Sequence, residues 1–221
     1  VQCRYQGYTV ITAPPPSSGG ITLCEMLNIL RTYPLKKLGL HSADSVHYLV
    51  EAMRYAYADR NQYLGDPDFV NNPTARLLSK QHAQWIRSQI KPNQAGSSKQ
   101  IGLFKKQSHE KMQTTSYAVI DQAGNAVSVT YTLNGFFGSQ TMAGNTGFFL
   151  NNELDDFNIK TGVPNMFGLI QGKANQIAPG KRPLSSMTPT IEMKNQNVKF
   201  VLSAAGGSTI KTQVLENVVN T

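Results

Sequence analysis

The sequence predicts an α+β fold in which helices cover an antiparallel sheet. Apolar residues recur every three or four positions from Gly20 to about Ile90, which is the period of amphipathic helices. After Met112 the apolar period becomes two, which is typical of strands. A last helical pattern follows Gly206 and Gly207. Helices, then strands, then a helix are the order expected of an α+β chain.

The helical half contains two clear helices and a weaker third. The apolar positions of 21–30 mark the first helix, and those of 46–57 mark the second. Ser42 stands where the second helix needs an N-cap. The third helix covers roughly 74–90. Residues 91–112 lose the periodicity and contain Pro, Gly and Lys, so we expect an exposed linker there.

The second half begins with a hairpin. Residues 117–121 and 126–132 are predicted strands joined by a turn that contains Gly124 and Asn125, and the second strand alternates apolar and polar side chains. Further strands are predicted at 147–150, 190–193 and 198–203, with a turn between the last two. These segments make the second half mostly β-structure, ending in the helix after the glycine pair.

Composition excludes several classes of function. The net charge is +8, but the basic residues are scattered, with no aromatic-interleaved stripe, so we expect no nucleic-acid partner. The four histidines are spread out and are interpreted as surface or packing residues, and we expect neither a metal site nor a cofactor. Cys3 and Cys24 allow either one disulfide or two buried thiols. We expect neither a membrane span nor a signal peptide within the numbered residues, and a signal could lie upstream of them.

Thr114 and Thr115 stand directly before the first predicted strand and directly after Gln113. A threonine pair is ordinarily a β-branched strand start. A threonine hydroxyl becomes a nucleophile only when a base accepts its proton, and cleavage of the preceding peptide bond would supply one as the freed α-amino group. That group has an unperturbed pKa of about 7.7 to 8.0, so it is partly neutral near pH 7. Pattern alone leaves both interpretations open.

Five segments, taken in order, resemble the γ-glutamyltranspeptidase family. They are the stretches 14–20, 55–67, 113–115, 151–157 and 181–187, which read PPPSSGG, YAYADR with LGDP, QTT, NNELDDF and KRPLSSM. The resemblance implies the four-layer αββα sandwich of the N-terminal-nucleophile hydrolases, incomplete at both ends of this chain. It also implies a precursor that cuts itself between Gln113 and Thr114. Residues 1–113 would then be the C-terminal part of a large chain, mostly helical, and 114–221 the N-terminal part of a small chain, mostly strands.

The resemblance carries roles to individual residues. Thr114 corresponds to the nucleophile and Thr132 to the threonine that orients it. The substrate's α-ammonium would be held by Asn134, Glu153 and Asp156, its α-carboxylate by Ser185 and Ser186, and the oxyanion by the backbone of Gly206 and Gly207. The glycine pair also precedes a predicted helix, whose N-terminus is rich in N–H donors. Taken singly, each of these residues is also compatible with an ordinary turn or cap.

The implied activity is γ-glutamyl transfer and hydrolysis, acting on glutathione and related γ-glutamyl compounds through an ester on Thr114. The acceptor would be water, an amino acid or a peptide, no cofactor would be needed, and the location would be periplasmic, secreted or at the cell surface. The alternatives are a related amidohydrolase acting on poly-γ-glutamate or acylated β-lactams, and a catalytically silent fragment.

Departures from the family pattern limit what the resemblance implies. Ser116 stands where many members have His, the segment 204–209 reads AAGGST, and Phe167 replaces a frequent Tyr in the 161–180 loop, which would act as a lid. The family's carboxylate-binding arginine would lie upstream of this chain. We therefore expect Ser185 and Ser186 alone to provide carboxylate recognition here.

Overall fold

The computed structural model describes residues 1–101, 113–160 and 162–220, and these form the predicted α+β fold. The helices are α1 Gly19–Leu30, α2 Leu35–Leu38, α3 Ala43–Tyr63, α4 Thr74–Leu77, α5 Lys80–Gln89, α6 Ser98–Ile101 and α7 Ile210–Val219. The strands are β1 Gln2–Tyr5, β2 Tyr8–Thr12, β3 Thr114–Ile120, β4 Ala126–Thr132, β5 Thr190–Lys194 and β6 Asn197–Leu202. Within the described ranges, no helix combines the length and apolarity needed to cross a bilayer.

A four-stranded antiparallel sheet in the order β1-β2-β5-β6 is shared by the two halves of the chain. Its central pairing joins Thr12 to Thr190, and their hydroxyls are hydrogen-bonded at 3.1 Å. Residues 1–113 therefore contribute two strands as well as helices, and residues 114–221 contribute α7 as well as strands. A cut between Gln113 and Thr114 would leave the two pieces joined by this sheet.

Helix α1 is the centre of the core. Nearly every one of its residues is buried, and it packs against α3, α5, α7 and the strands β1 and β2. Its apolar residues occur on several sides of the helix, which is typical of a helix surrounded by protein. The buried side chains around it include Val10, Leu49, Ala56, Ile86, Val214 and Leu215.

The β3–β4 hairpin lies against β5 and β6 with its hydroxyl-bearing face inward. Ser128 Oγ donates to the backbone oxygen of Leu202 at 2.7 Å, and Thr130 Oγ1 lies 2.9 Å from Ser203 Oγ. The opposite face is apolar and exposed, and it carries Tyr117, Val119, Val127 and Tyr131. The hairpin therefore turns Thr114, Thr130 and Thr132 toward the rest of the chain.

The predicted strand at 147–150 is wrong. Phe149 forms only an isolated bridge with Met142, and Gly144 and Gly147 both have positive φ. These left-handed residues fold the segment back on itself, so it cannot extend along a neighbouring strand. The hairpins at 114–132 and 190–202 are confirmed, although the first strand begins at Thr114, earlier than predicted.

The predicted helix over 74–90 is broken in two at Leu78 and Ser79. Ser79 caps α5, because its Oγ accepts a hydrogen bond from His82 N at 3.0 Å. Ser42 caps α3 in the same way, as predicted, by accepting from Ser45 N at 3.1 Å. Within the predicted linker, residues 98–101 form α6, and 102–112 lie outside the described residues.

Candidate active site

The hairpin register places Thr114 directly opposite Thr132. Their Oγ1 atoms lie 3.4 Å apart, within weak hydrogen-bond distance. Thr132 Oγ1 also accepts a hydrogen bond from Asn134 N at 2.9 Å. Asn134 is buried and has φ 73°, a left-handed conformation that asparagine tolerates better than most residues. The turn after β4 thus fixes the hydroxyl that faces Thr114.

Ser17 and Ser18 hold the segment that carries Ser185. The backbone N–H of Ser18 donates to Ser185 O at 2.9 Å, and Ser185 N–H donates to Pro16 O at 3.0 Å. The Ser18 hydroxyl also donates to Ser185 O at 2.7 Å. Two of the sequence motifs, separated by more than 160 residues, are therefore held together by backbone hydrogen bonds.

Asp66 and Arg182 join two further motifs. The buried Asp66 carboxylate accepts from the backbone N–H of Arg182 at 2.7 Å, from its Nε at 3.0 Å and from its Nη2 at 2.5 Å. This charge-assisted bonding to Arg182 holds the pKa of Asp66 well below its usual range. The loop after α3 thereby anchors the chain just ahead of Ser185.

Two buried cationic side chains, Lys211 and Arg60, contact the hydroxyl oxygen of Ser186. Lys211 Nζ donates to Ser186 Oγ at 2.9 Å, and Arg60 Nη2 lies 3.4 Å from the same oxygen. Arg60 also donates to Leu184 O at 3.3 Å and to Gln171 Oε1 at 2.8 Å. Burial lowers the pKa of Arg60 to about 10, so it is charged at neutral pH.

Sequence reasoning missed both cations. Arg60 ends the motif YAYADR, in which the sequence predicts no role for it, and Lys211 lies outside the five motifs. Lys211 lies among apolar residues on the buried face of α7, and Arg60 lies on the buried face of α3 that also carries Ala52 and Ala56. A charged residue inside an apolar stripe was the available signal, because burying a charge is costly unless it has partners.

The acidic segment forms a 3₁₀ turn over Glu153–Asp156. The backbone oxygen of Asp156 accepts from Gln171 Nε2 at 2.8 Å and from Asn175 Nδ2 at 2.7 Å, which fixes its position. Burial raises the pKa of Asp156 to about 7, opposed by the charge of Arg60. Asp155 instead accepts from Met166 N at 2.7 Å, so the two neighbouring aspartates are placed differently.

Gly206 and Gly207 precede α7, with a 3₁₀ turn over Gly207–Thr209 between them and the helix. Their φ values are 134° and 54°, both in the region that favours glycine. Phe167 packs against Gly207 so closely that a Cβ at that position would lie 2.7 Å from the ring. The predicted lid residue therefore rests on the predicted oxyanion glycine. Thr161, at the start of that loop, lies outside the described residues.

One small cavity brings most of the predicted site together. It is lined by Arg60, Thr114, Thr132, Asn134, Asp156, Phe167, Leu169, Ser185, Ser186, Met187, Gly207 and Ile210. Its volume is about 20 Å³, room for roughly one water molecule. Glu153 and Gly206 do not line it, although each is close in sequence to a residue that does. Gln113 is half-buried and directly precedes Thr114.

A larger cavity of about 740 Å³ contains none of the predicted site residues. His82 lines it and contacts Asp59 Oδ2 at 2.7 Å and Glu25 Oε1 at 3.2 Å, three ligand atoms that lie within 4.8 Å of one another. His82 is a packing residue, one of the two roles predicted for it, because its ring stacks on Trp85 and its side chain is 9% exposed. Hydrogen bonding to Asp59 raises the pKa of His82 to about 9, and an imidazolium between two carboxyl groups accounts for the geometry.

Known proteins share this fold. The cephalosporin acylase from Bacillus halodurans matches with a TM-score of 0.78 at 24% identity, over 100% of this chain and 37% of that chain. At that identity the likeness speaks to the fold alone. Together, the fold and the hydroxyl-lined cavity define an α+β scaffold with a polar pocket at the start of its hairpin.

The family is shown by sequence. The model described as Gamma-glutamyltranspeptidase matches residues 1–221, and the chain belongs to that family. It is 57% identical over 222 residues to the glutathione hydrolase proenzyme of Pseudomonas sp. (strain A14), covering 100% of this chain and 38% of that protein. It is 40% identical over 220 residues to the acylase ACY 1 proenzyme of Pseudomonas sp. (strain SE83), covering 100% of this chain and 37% of that protein. The chain thus spans about two fifths of the length of these relatives.

Proposed function

We propose that the protein containing this chain transfers γ-glutamyl groups from glutathione and similar amides to water, amino acids or peptides. One observation carries the proposal: Thr114, Ser185, Ser186 and Asp156 surround a single cavity. The two serine hydroxyls can donate hydrogen bonds to the α-carboxylate of a glutamyl group, and the carboxylate of Asp156 can accept from its α-ammonium. The γ-carbonyl carbon would then face the hydroxyl of Thr114. The 57% identical relative is named as a glutathione hydrolase, which agrees with this substrate class.

The two serines are suited to bind a carboxylate. Ser185 Oγ accepts from the backbone N–H of Met187 at 3.1 Å, and Ser186 Oγ accepts from Lys211. A hydroxyl that accepts from a protein donor keeps its own hydrogen for another partner. Among the described residues neither serine hydroxyl donates to a protein acceptor, so both hydrogens are available to an anion in the cavity.

Asp156 is suited to bind the substrate's α-ammonium. It lies at the cavity with a half-buried carboxyl group, and an ammonium would stabilise its charged form. Asn134 contributes from the same wall. Glu153 does not line the cavity, and burial raises its pKa, so we assign it a supporting position near Asp156 rather than a contact.

In the proposed mechanism the chain first cuts itself between Gln113 and Thr114, which frees the α-amino group of Thr114. That amine accepts the hydroxyl proton as Thr114 Oγ1 attacks the γ-carbonyl carbon of the donor. The backbone N–H groups of Gly206 and Gly207 stabilise the oxyanion. The proton passes to the departing amine, the C–N bond breaks, and a γ-glutamyl ester remains. Water or an acceptor amine then attacks the ester and restores Thr114.

The proposed function also has consequences for the architecture and the location of the whole protein. We propose that the segments beyond this chain extend the helices and sheets described above to the four-layer αββα sandwich, with large and small chains held together by the shared sheet. Cys3 and Cys24 form a disulfide with a Cα–Cα distance of 5.9 Å. Disulfides persist in oxidising compartments, which supports a periplasmic, secreted or surface location.

Hydrolysis of acylated β-lactams is the second candidate function, because the chain is also 40% identical to a protein named as an acylase proenzyme. The assay that separates the two compares release from glutathione with release from a glutaryl β-lactam by the full-length protein. A γ-glutamyl anilide, with Thr114→Ala as control, tests the main proposal. Turnover by the parent and none by Thr114→Ala supports it, whereas equal release by both proteins refutes Thr114 as the nucleophile.

A further inference from the structure

Lys211 is a buried lysine whose position calls for an explanation. It lies on the face of α7 that also carries Val214 and Leu215, and it is fully buried. Its Nζ donates to Ser186 Oγ at 2.9 Å and lies 4.8 Å from the centre of the Tyr57 ring. The Tyr57 hydroxyl is in turn hydrogen-bonded to the backbone oxygen of Ser208. An ammonium in such a place is costly to bury and needs partners that hold it.

We propose that Lys211 is a positioning residue that commits Ser186 to the recognition of a carboxylate. The inference rests on the proposed function and extends it, because the expectation from sequence assigned carboxylate recognition in this chain to Ser185 and Ser186 alone.

The chemistry of the donors fixes the direction of the serine hydroxyl. An ammonium and a guanidinium can only donate hydrogen bonds. Lys211 and, at the longer distance of 3.4 Å, Arg60 both direct donors at Ser186 Oγ, so the oxygen is an acceptor toward the protein interior. The remaining hydroxyl hydrogen then points toward the cavity as a donor. An anionic group is favoured there, and a cationic group is disfavoured.

The charges of the site give Lys211 a second effect. Asp156 faces Arg60 of α3, Lys211 of α7, and the acidic Glu153 and Asp155 of its own turn. Arg60 and Lys211 lower the pKa of Asp156, whereas burial and the two acidic neighbours raise it. Loss of the Lys211 charge would therefore move the protonation of Asp156 to higher pH.

The test uses the full-length protein and two donor substrates that differ in one group. γ-Glutamyl p-nitroanilide carries the α-carboxylate, and 4-aminobutanoyl p-nitroanilide lacks it but keeps the amine. Parent, Lys211→Met and Lys211→Arg are compared, with Lys199→Met as the control because Lys199 is exposed on β6. Thermal melting and autoprocessing check that each variant folds.

We expect Lys211→Met to raise KM for the γ-glutamyl donor about tenfold with kcat nearly unchanged, the effect of losing one charge-assisted contact. The 4-aminobutanoyl donor should be affected much less, so discrimination between the two donors falls about tenfold. The acidic limb of kcat/KM should move to higher pH. Lys211→Arg should recover most of the discrimination, and Lys199→Met should match the parent.

Ser186→Ala provides the second variant, which remains informative if Lys211→Met folds poorly. Ser186→Ala should lose about as much discrimination between the two donors as Lys211→Met does. The double variant Lys211→Met/Ser186→Ala should lose little more, because both residues act through one hydroxyl. An equal loss of kcat/KM for both donors, or parent-like discrimination in Lys211→Met and Ser186→Ala, overturns the inference. A parent that turns over neither donor refutes the proposed function instead, and calorimetry with L-glutamate and 4-aminobutanoate then decides the role of Lys211 by the same comparison.

Discussion

The side-chain oxygens of Thr114 and Thr132 lie 3.4 Å apart, on directly paired residues of β3 and β4. This contact depends on strand register, because a slip of one residue would turn every side chain of the strand to the other face. The hydroxyl face of the hairpin packs inward through Ser128 and Thr130, which holds that register. The position of the proposed nucleophile is thus a consequence of how the hairpin packs.

Replacing Thr132 should lower catalysis without removing the strand. Thr132→Val keeps the β-branched shape but removes the oxygen that contacts Thr114 and accepts from Asn134 N. Because misplacement of a reacting group costs about a hundredfold in rate, we expect kcat of the processed enzyme to fall by about that factor with little change in KM. Steady-state kinetics with a γ-glutamyl anilide measures this, and Thr132→Ser is the matched control. A Thr132→Val enzyme with parent-like kcat would contradict the assignment.

Phe167 should control access to the cavity. Its ring packs against Gly207, and the cavity below holds about one water, so a glutamyl group cannot enter unless the loop moves. Phe167→Ala should raise kcat/KM for bulky γ-glutamyl anilides by about threefold, and Phe167→Trp should lower it. Stopped-flow measurement of the first turnover gives the rate at which the substrate enters the cavity. Identical entry rates in all three proteins would show that the ring does not limit access.

Glu192 should make stability depend on pH. It is fully buried in β5, both carboxyl oxygens are without a hydrogen-bond partner among the described residues, and burial raises its pKa from 4.5 to about 7. The folded state therefore binds the proton more tightly than the unfolded state. The contribution of Glu192 to the free energy of unfolding is therefore fully present below about pH 4.5, and it is lost as the pH rises through 7.

Glu192→Gln removes this dependence. The stability of the variant relative to the parent should increase by roughly 3 kcal/mol between pH 4.5 and 8, because one pKa unit corresponds to about 1.4 kcal/mol. Urea unfolding at several pH values measures the difference, and Glu216→Gln on exposed α7 surface is the control. A constant difference across this range would show that Glu192 does not titrate in the folded protein.

The disulfide between Cys3 and Cys24 should stabilise the junction of β1 and α1. The cysteines are 21 residues apart in sequence, and closing a loop of that size contributes about 3 kcal/mol. Dithiothreitol should lower the free energy of unfolding of the parent by about that amount. It should leave a Cys3→Ala/Cys24→Ala variant unchanged. Equal responses of the two proteins to the reductant would argue against the bond.

Local patterns were sufficient to predict much of the fold. Helices α1 and α3 and both later hairpins were predicted because their apolar periods and turn residues lie within short stretches of sequence. Strands β1 and β2 were missed because both are short, although they form a local hairpin around Gln6 and Gly7. The other partner of β2 is β5, about 180 residues away. Pairing between such distant strands leaves no local signal.

The site was predicted only in part, for a similar reason. The family resemblance named Thr114, Thr132, Asn134, Asp156 and the serines, and the structure places them around one cavity. Glu153 and Gly206 do not line that cavity. The roles of Arg60 and Lys211 depend on contacts with Ser186 from two different helices, and no spacing within either helix encodes those contacts.

Mass spectrometry of the full-length protein after purification tests the central claim most directly. We predict two chains, with Thr114 as the new N-terminal residue, and a single uncut chain for Thr114→Ala. Incubation with a γ-glutamyl donor and rapid acid quenching should add one γ-glutamyl group to Thr114. An intact bond between Gln113 and Thr114 in protein that turns over the donor at full rate would contradict the account.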